Sequence, residues 1–251
     1  MDNETTPKKK KKRRKKHYFL RLLIIIAFIV GVIVTLRSSL FNVRYFAVEG
    51  NNYYTAAQVQ TIAELTTGVN TFKQKLAPAK SKLLSDPYIK NVEIKRELPN
   101  TVFISIEERV EYACIPYEGK YALIDCEGTV LRMANEMPIL PLLEFDRTAI
   151  NDATPGKALD VEQSYLLTNT LALLEVMNSN DLYFKKINFS AVTVKAYIYD
   201  GLYCEGTPEN ITKQMPAIKK LVEEQFQEGI TRGIIKVGKD NYIAFSPKMD
   251  N

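Results

Sequence analysis

Residues 8–16 read KKKKKRRKK, and from Leu22 to Leu36 the chain runs LLIIIAFIVGVIVTL without one charged residue. A solvated cationic block and an apolar run of this length are satisfied together only at the edge of a bilayer. Taken as Tyr18 to Leu36, the run has 19 residues, roughly 28 Å of helix at the standard rise. That is close to the roughly 30 Å of a hydrocarbon core. Arg21 then falls at the inner rim, where its aliphatic stem can lie in lipid while the guanidinium reaches the headgroups.

Charge sets the expected orientation. Residues 1–21 hold ten Lys/Arg (Lys8, Lys9, Lys10, Lys11, Lys12, Arg13, Arg14, Lys15, Lys16, Arg21) against Asp2 and Glu4, a net of +8. The whole chain is +5, so residues 22 onward carry −3. The basicity is local to the tail. Positive flanks stay cytoplasmic, which places the C-terminal part outside. The tail is also expected to attract anionic lipids. Nucleic-acid binding would need a basic folded face as well, and the remainder does not offer one. A cleaved signal peptide is the competing reading, but its basic segment would be long and TLRSSLFN lacks an A-x-A-like site. An uncleaved signal anchor is expected.

Beyond the anchor, Asn42–Val48 reads as a strand with Val43, Tyr45 and Ala47 on one face. Thr55 is the expected N-cap of a helix over AAQVQTIAEL, closed by Gly68. A second helix is expected over about Phe72–Leu84, stopped by Ser85-Asp86-Pro87. VEIKRE and TVFISIEE alternate as a hairpin joined at Leu98-Pro99-Asn100, with Val102, Ile104 and Ile106 sharing a face. The order is β-α-α-β-β, two helices over one face of a three-stranded sheet.

Residues 110–245 read as a β-rich domain with two helices. VEYACIPY, KYALID and GTVLRM are short strands turning at Glu118-Gly119 and Glu127-Gly128, and LPLLEF is another. A helix is expected over about Val161–Asn178, with Leu166, Leu167, Thr170, Leu171, Leu174 and Val176 mostly on one side. Strands follow near Phe184–Phe189, Val192–Tyr199 and Gly201–Glu205. A second helix spans Glu209–Glu228, striped by Ile211, Met215, Ile218, Leu221, Val222 and Phe226, with Pro216 marking a kink or a late start. GIIKV and NYIAF close the chain.

Chemistry is hard to place. The sole histidine, His17, sits at the cytoplasmic membrane edge, so no exported imidazole can act as base or ligand. This excludes Ser-His-Asp and Cys-His arrangements and HExxH zinc sites from the exported part. There is no GxxxxGK[ST] phosphate loop and no S-x-x-K nucleophile motif. Glu107 and Glu108 are adjacent on a strand and point to opposite faces, a poor carboxylate pair. Asp125 precedes a glycine turn and reads as a turn-forming side chain. Cys114, Cys126 and Cys204 are 12 and 78 residues apart, which matches neither a metal pattern nor a disulfide framework. Cys114 and Cys126 lie on adjacent expected strands, within reach of pairing, or are incidental thiols. Neither an enzyme nor a cofactor is expected.

The module opening FNVRYFAVEGNNYYT and closing DPYIKNVEIKRELPNTVFISIEERVEYA resembles the POTRA domain of the bacterial division family FtsQ, called DivIB in Gram-positive bacteria. The likeness rests on Val48, Gly50, Asn51 and Thr55, then Pro87, Ile89, Val92, Ile94, Arg96, Pro99, Thr101, Val102, Ile104, Ile106, Glu108 and Arg109. It continues in YALIDCEGTVL and in YDGLYCEGTPENITKQMPAIKKLVEEQ. Each of these positions also has a structural reading: turns at Gly50 and Asn51, breaks at Pro87 and Pro99, core at the Val and Ile positions, exposed strand ends at Arg96, Glu108 and Arg109.

The resemblance implies an α+β chain. It comprises a cytoplasmic tail (1–17), a signal anchor (18–40), a POTRA domain (41–109), a β domain (110–245) and a short tail (246–251). It implies a scaffold at the division septum that binds the bitopic proteins FtsL and FtsB/DivIC outside the membrane and, with them, septal wall synthases. A POTRA docking face is implied on its second strand and helix. The terminal strand of the β domain is the implied docking edge, over Val237, Asn241, Tyr242, Ile243, Ala244 and Phe245, before Pro247. Two other classes remain open on the residues alone. One is a POTRA-bearing chaperone or translocation component; the other is a membrane-anchored wall hydrolase using carboxylates. The long Lys/Arg tail hints at a Gram-positive source.

Overall fold

A computed structural model describes residues 18–190 and 192–247; the polybasic run Lys8–Lys16 and the residues after Pro247 lie outside the described residues. The first helix, α1, spans Tyr18–Leu36, and all of its residues are exposed. It is long and apolar enough to cross a membrane. A 3₁₀ turn, Ser39–Phe41, leads into the first domain.

That domain contains β1 (Tyr45–Glu49), α2 (Ala56–Ile62), α3 (Leu76–Leu84), β2 (Ile89–Glu97) and β3 (Thr101–Glu108). The sheet order is β1-β3-β2, with β1 parallel and β2 antiparallel to β3. Val102, Ile104 and Ile106 point from the central strand onto Val59 and Leu83 of the helices, and all five are buried. Each such side chain contributes about 1.5–3 kcal/mol of burial.

The boundaries shift from expectation for local reasons. Thr55 caps α2 with a full capping box to Gln58, but the helix ends at Ile62, because Glu64 already adopts φ 52°, well before Gly68. α3 starts at Leu76, because Asn70–Gln74 is a turn in which the Asn70 side chain accepts from the Phe72 amide at 3.1 Å. Pro78 therefore lies in the first turn, where a missing N–H costs nothing. In the first strand, Phe46 and Val48 pack on the core and Tyr45 is 66% exposed. The chain is irregular at Val43 and Arg44, so buried Val43 does not set the parity of β1.

The second domain contains β4 (Ala113–Tyr117), β5 (Lys120–Ile124), β6 (Val130–Ala134), β7 (Leu142–Phe145), β8 (Ile150–Asp152), β9 (Asp160–Val161), α4 (Ser164–Ser179), β10 (Lys186–Phe189), β11 (Val194–Tyr199), β12 (Leu202–Gly206), α5 (Pro208–Lys213), α6 (Met215–Gln227), β13 (Gly233–Val237) and β14 (Ile243–Pro247). Nine of these strands form one sheet, ordered β14-β13-β12-β11-β10-β7-β4-β5-β6, and β8 pairs with β9 apart from it. Its core gathers Ile115, Ile124, Leu143, Leu174, Phe184, Phe189, Cys204, Ile218 and Ile235.

Three helices stand where two were expected. The segment over Glu209–Glu228 breaks at Gln214, because Pro216 has no N–H to continue α5 and instead occupies the start of α6. Thr207 caps α5, its hydroxyl accepting from the Asn210 amide. Phe226 leaves the stripe at 60% exposed and Gln225 is buried in its place. On α4 the buried face is Leu166, Thr170, Leu173, Leu174 and Met177. Leu167 and Leu171 are only partly buried, flanking the turn glycine Gly128.

Candidate functional site

The last strand, β14, pairs with β13 on one side and, among the described residues, with no strand on the other. Its register with β13 runs from Val237↔Ile243 to Gly233↔Pro247. The Gly238 amide donates to the Tyr242 carbonyl at 2.8 Å, so Val237 and Ile243 face each other without exchanging bonds. Alternation then turns the amides and carbonyls of Ala244 and Ser246 onto β13. Those of Ile243 and Phe245 face the open side, and Pro247 adds a carbonyl alone.

The hairpin is held from behind. Gln214, at the break between α5 and α6, donates its side-chain amide to the Gly238 carbonyl at 2.8 Å. Ile243 and Phe245 lean on the core, and the Phe245 ring crosses Gly233, where a Cβ would come within 2.4 Å of it. The opposite face of this sheet end carries the tilted ring pair Tyr197–Tyr203, 5.0 Å between centroids. In register beside them run Ile234 and Ser246, then Lys236 and Ala244.

The expected docking residues therefore divide. Ile243, Ala244 and Phe245 lie on the edge strand. Asn241 and Tyr242 do not: Asp240 and Asn241 have φ of 57° and 59°, which makes them turn residues and delays the strand to Ile243. Tyr242 projects from that turn, 59% exposed. Val237 is 5% exposed and lies between Gly206 of β12 and Ile243 of β14, so both of its backbone sides face neighbouring strands. Arg21 stands exposed in the first turn of α1.

The first domain abuts the other end of the same sheet. Arg109 is ion-paired with Asp125 and reaches Glu127 at 3.0 Å, while Lys90 meets Glu127 at 2.9 Å. Tyr88 donates its hydroxyl to Glu111 at 2.6 Å, and Arg132 of β6 donates to the same carboxylate at 2.7 Å. Burial pushes the Glu111 carboxyl up, but the Arg132 and Tyr88 hydrogen bonds outweigh it and hold the group below its ordinary value. Asp125 is 2% exposed and does more than shape its turn. One oxygen accepts from the amides of Glu127 and Thr129 and the other meets Arg109.

Glu108 and Arg96, read from sequence as exposed strand ends, are structural too. The Glu108 carboxylate accepts from the amides of Asn52, Tyr53 and Tyr54 at 2.6, 2.5 and 3.0 Å. Arg96 donates to the carbonyls of Thr71 and Gln74. Sequence spacing could not show these links, because the partners lie some twenty to fifty-six residues away.

A concavity of about 710 Å³ opens between β4 and β7, lined by Ile115, Tyr117, Phe145, Thr148, Asn188 and Lys195 among others. The two strands share a single bridge, Cys114↔Leu142. Two residues on, Pro116 has no N–H to continue the ladder, and the strands part. Of the carboxylates on its rim, Glu144 is ion-paired with Lys186 at 2.7 Å. The cysteines are free. Burial pushes the Cys114 thiol up to about 11 and the Cys204 thiol up to about 12, far from the thiolate range a nucleophile needs.

Residues 41–109 match the family model for the POTRA domain, FtsQ-type. The chain is 28% identical over 186 residues to the cell division protein DivIB of Clostridium acetobutylicum, covering 73% of this chain and 74% of the relative. It is 24% identical over 224 residues to DivIB of Clostridium botulinum strain Hall, with 87% of each chain covered. Along most of its length the chain is thus similar to DivIB cell-division proteins, and its residues 41–109 match the FtsQ-type POTRA domain. A shorter match, 28% over 102 residues, reaches DivIB of Staphylococcus aureus. The matched POTRA residues end at Arg109, the side chain that grips Asp125 of the β domain.

Proposed function

We propose that the chain is a non-catalytic scaffold of the bacterial division complex. α1 anchors it with the basic tail in the cytoplasm, against anionic lipid, and both domains outside, at the septum. The β domain binds the extracytoplasmic segments of FtsL and FtsB/DivIC-type bitopic proteins, and septal wall synthases assemble around them. The observation that carries this reading is the free edge of β14. Two outward amides and three outward carbonyls, from Ile243, Phe245 and Pro247, accept one short extended segment by strand addition. Each backbone bond contributes about 0.5–1.5 kcal/mol net. Specificity would come from side chains of the added strand meeting Tyr242, Ala244 and Ser246. The similarity to DivIB cell-division proteins supports the division role, and the buried, raised thiols of Cys114 and Cys204 are poor nucleophiles.

The direct test is Ile243→Pro in the full chain, reconstituted in nanodiscs. It removes an outward amide while leaving the β13 bonds of Ala244 and Ser246 in place. Binding to the FtsL and DivIC-type homologues of the same organism is expected to weaken by about tenfold or more, since one lost bond and the proline ring act together. Ile243→Val trims the side chain alone and should bind normally. Unchanged binding by a folded Ile243→Pro chain would refute edge pairing.

A further inference from the structure

The first domain is bonded directly to the end of α1. The side chain of Asn70, 8% exposed, donates to the carbonyl of Leu36, the last residue of α1, at 2.9 Å. Its oxygen accepts from the Phe72 amide, so one asparagine joins the helix end to the 68–74 loop. Backbone bonds repeat the link: Thr71 donates to Phe41, Val43 to Val69 and Gly68 to Val43, at 2.7–2.9 Å. The Phe41 and Phe72 rings meet at 5.5 Å. From the other side, Arg96 of β2 donates to the carbonyls of Thr71 and Gln74. The loop is fixed between α1 and the sheet.

A helix that crosses a bilayer delivers its last residue to the headgroup region, and whatever is bonded to that residue is delivered with it. At this end of the domain Leu40, Val69 and Phe72 are 63%, 38% and 44% exposed. Arg37, Lys73 and Lys75 stand exposed beside them, and none of the three enters an ion pair among the described residues. Apolar and aromatic side chains among cations suit the interface, where rings sit at headgroup level and Lys/Arg meet phosphate. Three apolar side chains on one rim would be costly to leave in water and are satisfied by acyl chains a few ångströms away.

We infer that Leu40, Val69 and Phe72 insert into the outer leaflet in which α1 ends, with Arg37, Lys73 and Lys75 on its phosphates. The POTRA domain then rests on the membrane at a fixed tilt. This inference rests on the reading of α1 as a membrane span. It goes beyond anchoring, because it assigns a lipid-binding surface to the folded domain.

The test uses the full chain in vesicles of phosphatidylcholine and phosphatidylglycerol. Cys126→Ser removes the exposed thiol, and buried Cys114 and Cys204 are left in place. Single cysteines at Phe72→Cys, Val30→Cys and Glu136→Cys carry an environment-sensitive fluorophore, and lipids with a nitroxide near the headgroup or deep in the chain act as quenchers. The label at 72 is expected to lose most of its emission to the shallow quencher, that at 30 to the deep one, and that at 136 to neither. In a second reading, Phe72→Asp should reduce shallow quenching of a label at Leu40→Cys. Deep quenching at 30 with none at 72 would overturn the rim while leaving the span intact. No quenching at 30 would remove the span, and the rim with it.

Discussion

The Glu108 carboxylate shows how much one strand-end side chain can hold. It collects the amides of Asn52, Tyr53 and Tyr54 at once, closing the loop between β1 and α2 onto β3. Hydrogen bonds to a charged acceptor contribute about 1.5–3 kcal/mol each when shielded, less when solvent competes. Glu108→Ala is expected to destabilise the chain by about 2–3 kcal/mol in urea unfolding, since three donors lose their acceptor together. Glu108→Gln should recover part of the loss; a change within error of zero would mean the loop holds itself. The same loop needs Gly50, whose φ is 81° and where a Cβ would come within 2.0 Å of the Ile106 carbonyl. Neighbouring Asn51 keeps an ordinary conformation and donates its side chain to the Tyr54 carbonyl. These reasons are structural, and none of them is catalytic.

At the scale of elements, the sequence is most legible where period and punctuation agree. The β-α-α-β-β order and the shared face of Val102, Ile104 and Ile106 follow from strict alternation. The Glu118-Gly119 turn forms as its residues predict, with φ of 47° and 76°. Errors gather where a local bond outranks the pattern. The Asn70 turn shortens α3, Glu64 ends α2 early, and Pro216 splits one expected helix at Gln214. The candidate edge suffered the same way. NYIAF alternates as a strand throughout, but the left-handed residues Asp240 and Asn241 keep its first two positions off the strand, which begins at Ile243. Two-residue β9 and three-residue β8 are too short to carry any period. The long-range partners of Arg96, Glu108 and Arg109 were invisible for another reason: periodicity reports which face a residue takes and is silent on what it meets there.

Across the whole molecule, the two ends of the nine-stranded sheet have different neighbours. β6 meets the POTRA domain through Arg132, Glu111 and Tyr88, while β14 lies eight strand spacings away, roughly 38 Å. The contact at β6 should be sensitive to acid. Glu111 is held below its ordinary value of 4.5, so its ionised form favours the native state. That stabilisation is complete above the unfolded value and is lost as pH falls through the lower folded value. Glu111→Gln should therefore be less stable than the parent chain near neutral pH, with the gap closing below about pH 4. A gap that stays constant with pH would show that Glu111 acts through packing.

The opposite edge is where a partner strand is proposed to add, and its amides report on that directly. The decisive measurement is residue-resolved amide hydrogen exchange of the full chain in nanodiscs, alone and saturated with the DivIC-type partner. Ile243 and Phe245 are expected to become protected on binding, while Ala244 and Ser246, already bonded to β13, change little. Saturated binding that leaves Ile243 and Phe245 exchanging as in the free chain would contradict strand addition at β14.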